Sequence, residues 1–207
     1  YHLLSGEDFP IKNLQYIYDF FENSQKEFVF FTNKEVTLKD MDRILYKHVM
    51  LGRLRSSKNS IINKIYFYID NFFVIIQKIL KIKKKKYYNK YQRGAQWFSI
   101  THDFACYVLS KKAEIQEAFQ NTLIPDEMFI QTLIINSKWK DKLYNLEEYN
   151  NPIQNSRYID WKRGNPYVFR IDDFEELITS ECCFARKFSN DIDVEIIEKI
   201  EKFINKK

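Results

Sequence analysis

The residues best placed to move a proton stand together in Pro125-Asp126-Glu127, downstream of the aromatic stretch Gly94-Ala95-Gln96-Trp97-Phe98. One carboxylate within reach of an attacking hydroxyl is enough for general-base chemistry. Pro125 suits the opening of a helix, where its fixed φ costs nothing, and the helix dipole favours carboxylates in the first turn. The spacing therefore predicts Glu127 at a helix start, with Asp126 capping or orienting the turn. The same residues ahead of Met128, Phe129, Ile130, Leu133 and Ile134 also describe an ordinary helix N-terminus, so residue type alone leaves both readings open.

The chain that must position this carboxylate has 207 residues, 45% of them hydrophobic, enough for one domain or most of one. Four glycines and four prolines argue against a turn-dense sandwich and leave mixed α/β as the expected class. With 33 basic against 28 acidic residues the net charge is +5, a mixed surface that favours anionic ligands only weakly. Cys106, Cys182 and Cys183 have neither CxxC spacing nor a histidine cluster at metal-ligand intervals, so zinc is not expected. The adjacent Cys182 and Cys183 read as helix residues in a reducing compartment. Tyr1-His2-Leu3-Leu4 lacks the charged start of a signal peptide, and the expected location is cytoplasmic.

Taken in order, Leu3 to Lys12 reads as the end of a buried strand running into a Ser-Gly turn, stopped by Pro10. Asn13 can cap the helix that follows, and Phe28-Val29-Phe30-Phe31 suggests a central strand. Thr37 or Asp40 opens a polar segment with no catalytic spacing. Ile61 to Ile82 mixes apolar residues with Asn63, Lys64, Asp70, Asn71, Gln77 and Lys78, which interrupt any bilayer span. The pattern predicts an amphipathic helix, followed by Lys81, Lys83, Lys84, Lys85 and Lys86. A solvated basic helix end is one reading of 61–86; peripheral contact with an anionic membrane surface is the sharper one. Nucleic acid is not an expected partner, because no recognition fold surrounds the lysines. Thr101 or Asp103 can cap a helix through Phe119. Leu143 to Ser156 reads as a loop, Arg157 to Trp161 as a strand, and Asp172 to Leu177 opens a helix.

Five of these stretches occur together in one order: Leu3-Leu4-Ser5-Gly6-Glu7-Asp8-Phe9-Pro10-Ile11-Lys12, Gly94-Ala95-Gln96-Trp97-Phe98, Pro125-Asp126-Glu127, Arg157-Tyr158-Ile159-Asp160-Trp161 and Phe184-Ala185-Arg186-Lys187-Phe188. In this the chain resembles the core-2/I-branching β-1,6-N-acetylglucosaminyltransferase family, which includes peptide O-xylosyltransferases, and looks like a short bacterial member. The likeness thins over 33–91, the part that contacts the acceptor in relatives. Glu7 also departs from it, since the family usually has Gln or Ala there.

The resemblance implies a Rossmann-like GT-A nucleotide-sugar glycosyltransferase fold, of which this chain is the C-terminal portion. Residues 1–207 would form one domain lacking its N-terminal nucleotide-binding part, with 61–92 as a helical and basic insertion. It implies inverting, metal-independent transfer of GlcNAc, or secondarily xylose, from a UDP-sugar to a glycan hydroxyl. Glu127 resembles the family's base, and a proton taken late in the displacement needs no strongly raised pKa. Lys187 matches the family's phosphate-binding lysine; its arginine partner aligns with Arg163 or Arg170, with Arg163 preferred for its place on the Gly164 turn. Trp97 and Trp161 offer flat faces to a pyranose, though buried core tryptophan is the competing reading. Ser5 and Asp8 would shape the same pocket. A non-catalytic carbohydrate-binding remnant of the fold and a membrane-surface adaptor are the alternatives to an enzyme.

Overall fold

The computed structural model describes residues 1–54 and 56–205. In chain order the regular elements are β1 (Asp8–Pro10), α1 (Leu14–Ser24), β2 (Phe28–Val29), α2 (Leu38–Leu45), α3 (Ser60–Ile79), β3 (Phe98–Ser99), α4 (His102–Ser110), α5 (Lys112–Phe119), α6 (Phe129–Ile135), β4 (Arg157–Ile159), α7 (Phe174–Thr179), β5 (Phe184–Arg186) and α8 (Val194–Ile204). Helix starts follow local chemistry. The Asn13 side chain accepts from the Tyr16 N–H at 2.7 Å, and Thr37 and Asp40 form a reciprocal capping box at the start of α2. Thr101 caps α4 and Asp193 caps α8.

The class is mixed α/β, with small sheets rather than one broad one. β5 lies between β1, antiparallel to it, and β4, parallel to it; β2 and β3 form a separate antiparallel pair. β4, α7 and β5 make a parallel crossover, and with α8 it builds a core from Phe169, Phe174, Leu177, Ala185, Ile196 and Ile200. A second core of Val29, Phe31, Phe104, Ile130 and Ile134 sits under β2 and β3. Arg157, 2% exposed, joins the two sheets: from β4 its Nη2 donates to the Phe98 carbonyl on β3 at 2.8 Å. Burial pushes this guanidinium down to about 10.

Several sequence expectations are corrected. Leu3 and Leu4 are exposed, and the strand follows the Ser-Gly turn instead of preceding it, because the turn's donors and acceptors are occupied by Asp8 at the start of β1. The aromatic run after Glu27 contributes only Phe28 and Val29 to a two-stranded pair, so it is not a central strand. Cys182 and Cys183 are buried in the extended lead-in to β5, not in a helix. The helix expected from 101 to 119 is interrupted at Lys111.

Among the described residues no helix is long and apolar enough to cross a membrane. α3 has the amphipathic character its sequence predicts, but its polar side faces the protein. Asp70 meets His48 Nδ1 and accepts from the Val49 N–H at 2.8 Å, while Gln77 both donates to and accepts from the Lys47 backbone at 2.9 Å.

Candidate functional site

Glu127 ends a single 3-10 turn, Pro125–Glu127, immediately before α6. Its main-chain carbonyl accepts from the Gly94 N–H at 2.9 Å. One turn on, Gln131 Nε2 donates to the Ala95 carbonyl at 2.7 Å, and Thr132 Oγ1 accepts from the Gln92 N–H at 3.0 Å. The strip 92–95 is thus fastened along the start of α6. It lies so close to the neighbouring chain that a Cβ on Gly94 would stand 1.7 Å from the Phe30 carbonyl oxygen, which only glycine permits.

Arg93, the residue before that glycine, holds the Glu127 carboxylate. Its Nη2 donates to Oε2 at 2.7 Å and its Nε to the same oxygen at 3.1 Å. Nη1 stands 3.4 Å from Asp40 Oδ1, a buried carboxylate at the first turn of α2. Both Arg93 bonds fall on Oε2, so Oε1 keeps its lone pairs for another donor. The Glu127 side chain is about one third exposed, within reach of solvent and of a bound hydroxyl.

Four residues along the same strip, Trp97 packs its ring under Arg186, with Cζ 4.4 Å from the ring centre. The chain can stretch no more than about 14 Å between the Cα atoms of Arg93 and Trp97. Arg186 ends β5, and its Nη1 donates to Asp8 Oδ1 at 2.9 Å, across the register that sets Asp8 opposite Arg186. It also donates to the Ser5 hydroxyl. Ser5 returns a backbone bond to Asp8 at 2.7 Å, so Ser5 and Asp8 form a half-buried bracket for Arg186. Glu7 reaches both cations: Arg186 Nη2 at 2.9 Å and Lys187 Nζ at 2.7 Å. The bond from Lys187 holds the Glu7 carboxyl below its ordinary value, with Arg186 adding to the effect. Arg186 over Trp97 and the adjacent Lys187 thus share the Glu7 carboxylate, and charge-assisted bonds of this kind are ones that a phosphate can also make.

The other residues singled out in the sequence lie apart from this cluster. Arg163 is bound by three carboxylates, Asp160, Asp173 (2.6 Å) and Glu176 (2.9 Å), and covers the Tyr167 ring. Its guanidinium is engaged by all three carboxylates in this structure. Arg170 is exposed and adjoins Phe169, whose N–H donates to the Lys187 carbonyl at 2.9 Å, so it stays next to the cluster. Trp161 is 57% exposed, neither core nor in contact with Arg186. Asp126 is exposed and does not cap its turn: residue 124, ahead of Pro125, is left-handed and no side chain caps it. Arg93 and Arg186 were missed. Arg93 adjoins the glycine of its motif and Arg186 lies inside another, but their carboxylate partners are remote in sequence.

A cleft of about 470 Å³ between α1 and residues 99–102, and one of about 490 Å³ beside Trp139, include none of these side chains. Among the described residues no group of three or more His, Cys, Asp and Glu is placed to hold a metal ion.

A mixed α/β chain that sets a carboxylate against one end of a strip and an arginine, followed by a lysine, against the other has the parts of a group-transfer enzyme. The family model described as Core-2/I-Branching enzyme matches residues 2–181, and the chain belongs to that family, whose members are GT-A-like glycosyltransferases. The match ends before β5, so Arg186 and Lys187 lie beyond it. Among curated relatives, the xylosyltransferase sqv-6 of Caenorhabditis briggsae is 30% identical over 145 residues, 61% of this chain and 18% of that protein. Xylosyltransferase 2 of Rattus norvegicus and that of Homo sapiens are each 27% identical over 122 residues, 52% of this chain and 14% of theirs. The chain thus matches less than a fifth of the length of these relatives.

Proposed function

We propose that this chain carries the catalytic part of an inverting glycosyltransferase that moves a sugar from a UDP-sugar to a hydroxyl of a glycan or protein acceptor. The observation that carries the reading is the strip from Arg93 to Trp97, which holds Glu127 at one end and Arg186 with Lys187 at the other. In the transfer the acceptor oxygen forms a bond to the anomeric carbon as the bond from that carbon to the β-phosphate oxygen breaks. Oε1 of Glu127 takes the acceptor's proton, and the bonding pair leaves with the diphosphate. Lys187 and Arg186 meet the charge that develops there, acting as fixed cations in place of a metal.

For this to happen Glu7 must give up Lys187 to the incoming phosphate. Trp97, whose ring lies against Arg186, would be the aromatic face beside the leaving group. The names of the relatives weigh toward xylose ahead of GlcNAc, reversing the order expected from the sequence.

The test is UDP release from UDP-xylose and UDP-GlcNAc over glycan and serine-peptide acceptors, with EDTA present, for wild type and Glu127→Gln. Turnover that persists in EDTA and collapses in the variant supports the proposal. UDP-sugar binding without turnover by either protein would favour a carbohydrate-binding remnant instead. Turnover that needs an added divalent ion would remove the fixed-cation role.

A further inference from the structure

The outward side of α3 is apolar along its whole length. Ile61, Ile65, Tyr68, Phe72, Ile75 and Ile79 alternate four and three residues apart, so they form one stripe on a helix of 20 residues. Each is between 50% and 73% exposed. This is not a helix that failed to dock, because its opposite side is fixed. Asp70 and Val74 are buried, and Asp70 and Gln77 hold the backbone of residues 47–50. The bonding that orients α3 is what turns the stripe outward.

The exposed charges carried by α3 and the segment that follows it have one sign. Between residues 60 and 86 the one carboxylate is Asp70, and it is buried against His48. Lys64 and Lys78 flank the stripe, and Lys81, Lys83, Lys85 and Lys86 follow it, all exposed. Lys84 is turned inward, donating to Thr122 Oγ1 at 3.0 Å and to backbone carbonyls, and Lys78 is paired with Asp42. A second copy packed helix to helix would set lysines against lysines, with no exposed carboxylate on the helix to answer them. A surface of anionic lipid answers both features at once: its acyl boundary takes the apolar stripe and its headgroups take the lysines.

We infer that α3 and the lysines that follow it form a docking surface for an anionic membrane, on which the helix lies in the plane of the interface. The inference is independent of the transferase reading, since no residue of the strip from Arg93 to Trp97 takes part.

The test is vesicle flotation of the 207-residue chain with phosphatidylcholine alone and with phosphatidylcholine mixed with phosphatidylglycerol. The expected result is recovery with the anionic vesicles, falling as salt is added. Phe72→Glu with Ile75→Glu, both outward-facing, should abolish recovery while the circular dichroism and melting temperature stay at wild-type values. Replacing Lys81, Lys83 and Lys86 with Gln should lower the partition coefficient roughly a hundredfold. Equal recovery with both vesicle types, or no recovery with either, would overturn the inference. So would a dimer in light scattering that the Phe72/Ile75 variant dissolves while anionic vesicles fail to recruit the wild type, which would make α3 a self-association surface.

Discussion

Glu7 Oε1 lies 2.7 Å from Lys187 Nζ, and the other oxygen of the same carboxylate lies 2.9 Å from Arg186 Nη2. One side chain therefore answers both cations that would receive a leaving diphosphate. Replacing Glu7 with Gln removes that competitor while keeping a side chain of similar shape. UDP affinity should rise about fivefold, as expected for losing an exposed ion pair worth about 1 kcal/mol. Calorimetric titration of UDP into wild type and Glu7→Gln checks it, and unchanged or weaker binding would show that the cations do not receive the phosphates.

The same pair makes a prediction about acid. The carboxyl of Glu7 is held below its ordinary value, so the folded state binds fewer protons than the unfolded chain just below that value. Its contribution is complete above the ordinary carboxylate pKa and disappears as pH falls through the depressed one. With the side chain 41% exposed, solvent limits the contribution to about 1 kcal/mol or less. Melting curves of wild type and Glu7→Gln should differ at neutral pH and converge toward pH 3, around and below the Glu range. A gap that widens on acidification would contradict the assignment.

Arg93 carries the third prediction. Both of its short bonds fall on Glu127 Oε2, which leaves Oε1 as the oxygen free to accept a proton. Glu127→Gln should lower kcat by roughly 10² to 10⁴, the usual range for a lost general base. Arg93→Ala should lower kcat about tenfold with KM for the donor little changed, because the carboxylate remains but loses its orientation. Arg93→Lys, keeping charge without the two-pronged grip, should recover part of the loss. A fall in donor affinity in place of kcat would mean that Arg93 belongs to the phosphate side of the strip.

Local chemistry was the legible part of this molecule. Asn13 caps a helix as expected, Thr101 is the one of two candidates that caps α4, and Pro125 puts Glu127 ahead of α6 as its fixed φ suggests; at Thr37 only a polar segment was legible, where the structure has α2. What could not be read is partnership across the chain. Arg186 finds Asp8 at a separation of 178 residues, through a strand pairing that three short residues on each side do not announce. Arg163 looked available because its three carboxylates come from a loop and from the approach to and first turn of α7, which fold back onto it. The period of α3 was visible too, but period reports that a helix has two faces, not which of them the protein takes. The bonds made by Asp70 and Gln77 decided that.

Gly94 offers a test of the strip itself. A methyl group there would meet the Phe30 carbonyl at 1.7 Å, and Gln131 Nε2 at 2.9 Å, so the backbone must move. Gly94→Ala should destabilise the fold by about 1–3 kcal/mol, the usual range for forced overpacking. Because the same displacement pulls the Gly94 N–H from the Glu127 carbonyl, activity should fall further than the folded fraction does. Urea denaturation and turnover measured on one preparation separate the two losses. Proportionate losses would mean that the strip supports the fold without positioning Glu127.

Arg163 and Arg186 make opposite predictions although both are arginines held by carboxylates. Arg163 has three such partners and an aromatic ring, all within the segment from Asp160 to Glu176, so its removal leaves Asp160, Asp173 and Glu176 facing one another. Arg163→Met should therefore cost about 1–3 kcal/mol of stability while leaving UDP affinity, measured on the folded fraction, near wild type. Arg186→Met removes a cation beside Lys187 and should weaken UDP binding about tenfold or more. Thermal denaturation and UDP titration on the two variants check this. A large loss of UDP binding in Arg163→Met would return that arginine to the diphosphate site and make the carboxylates around it a resting arrangement that the donor displaces.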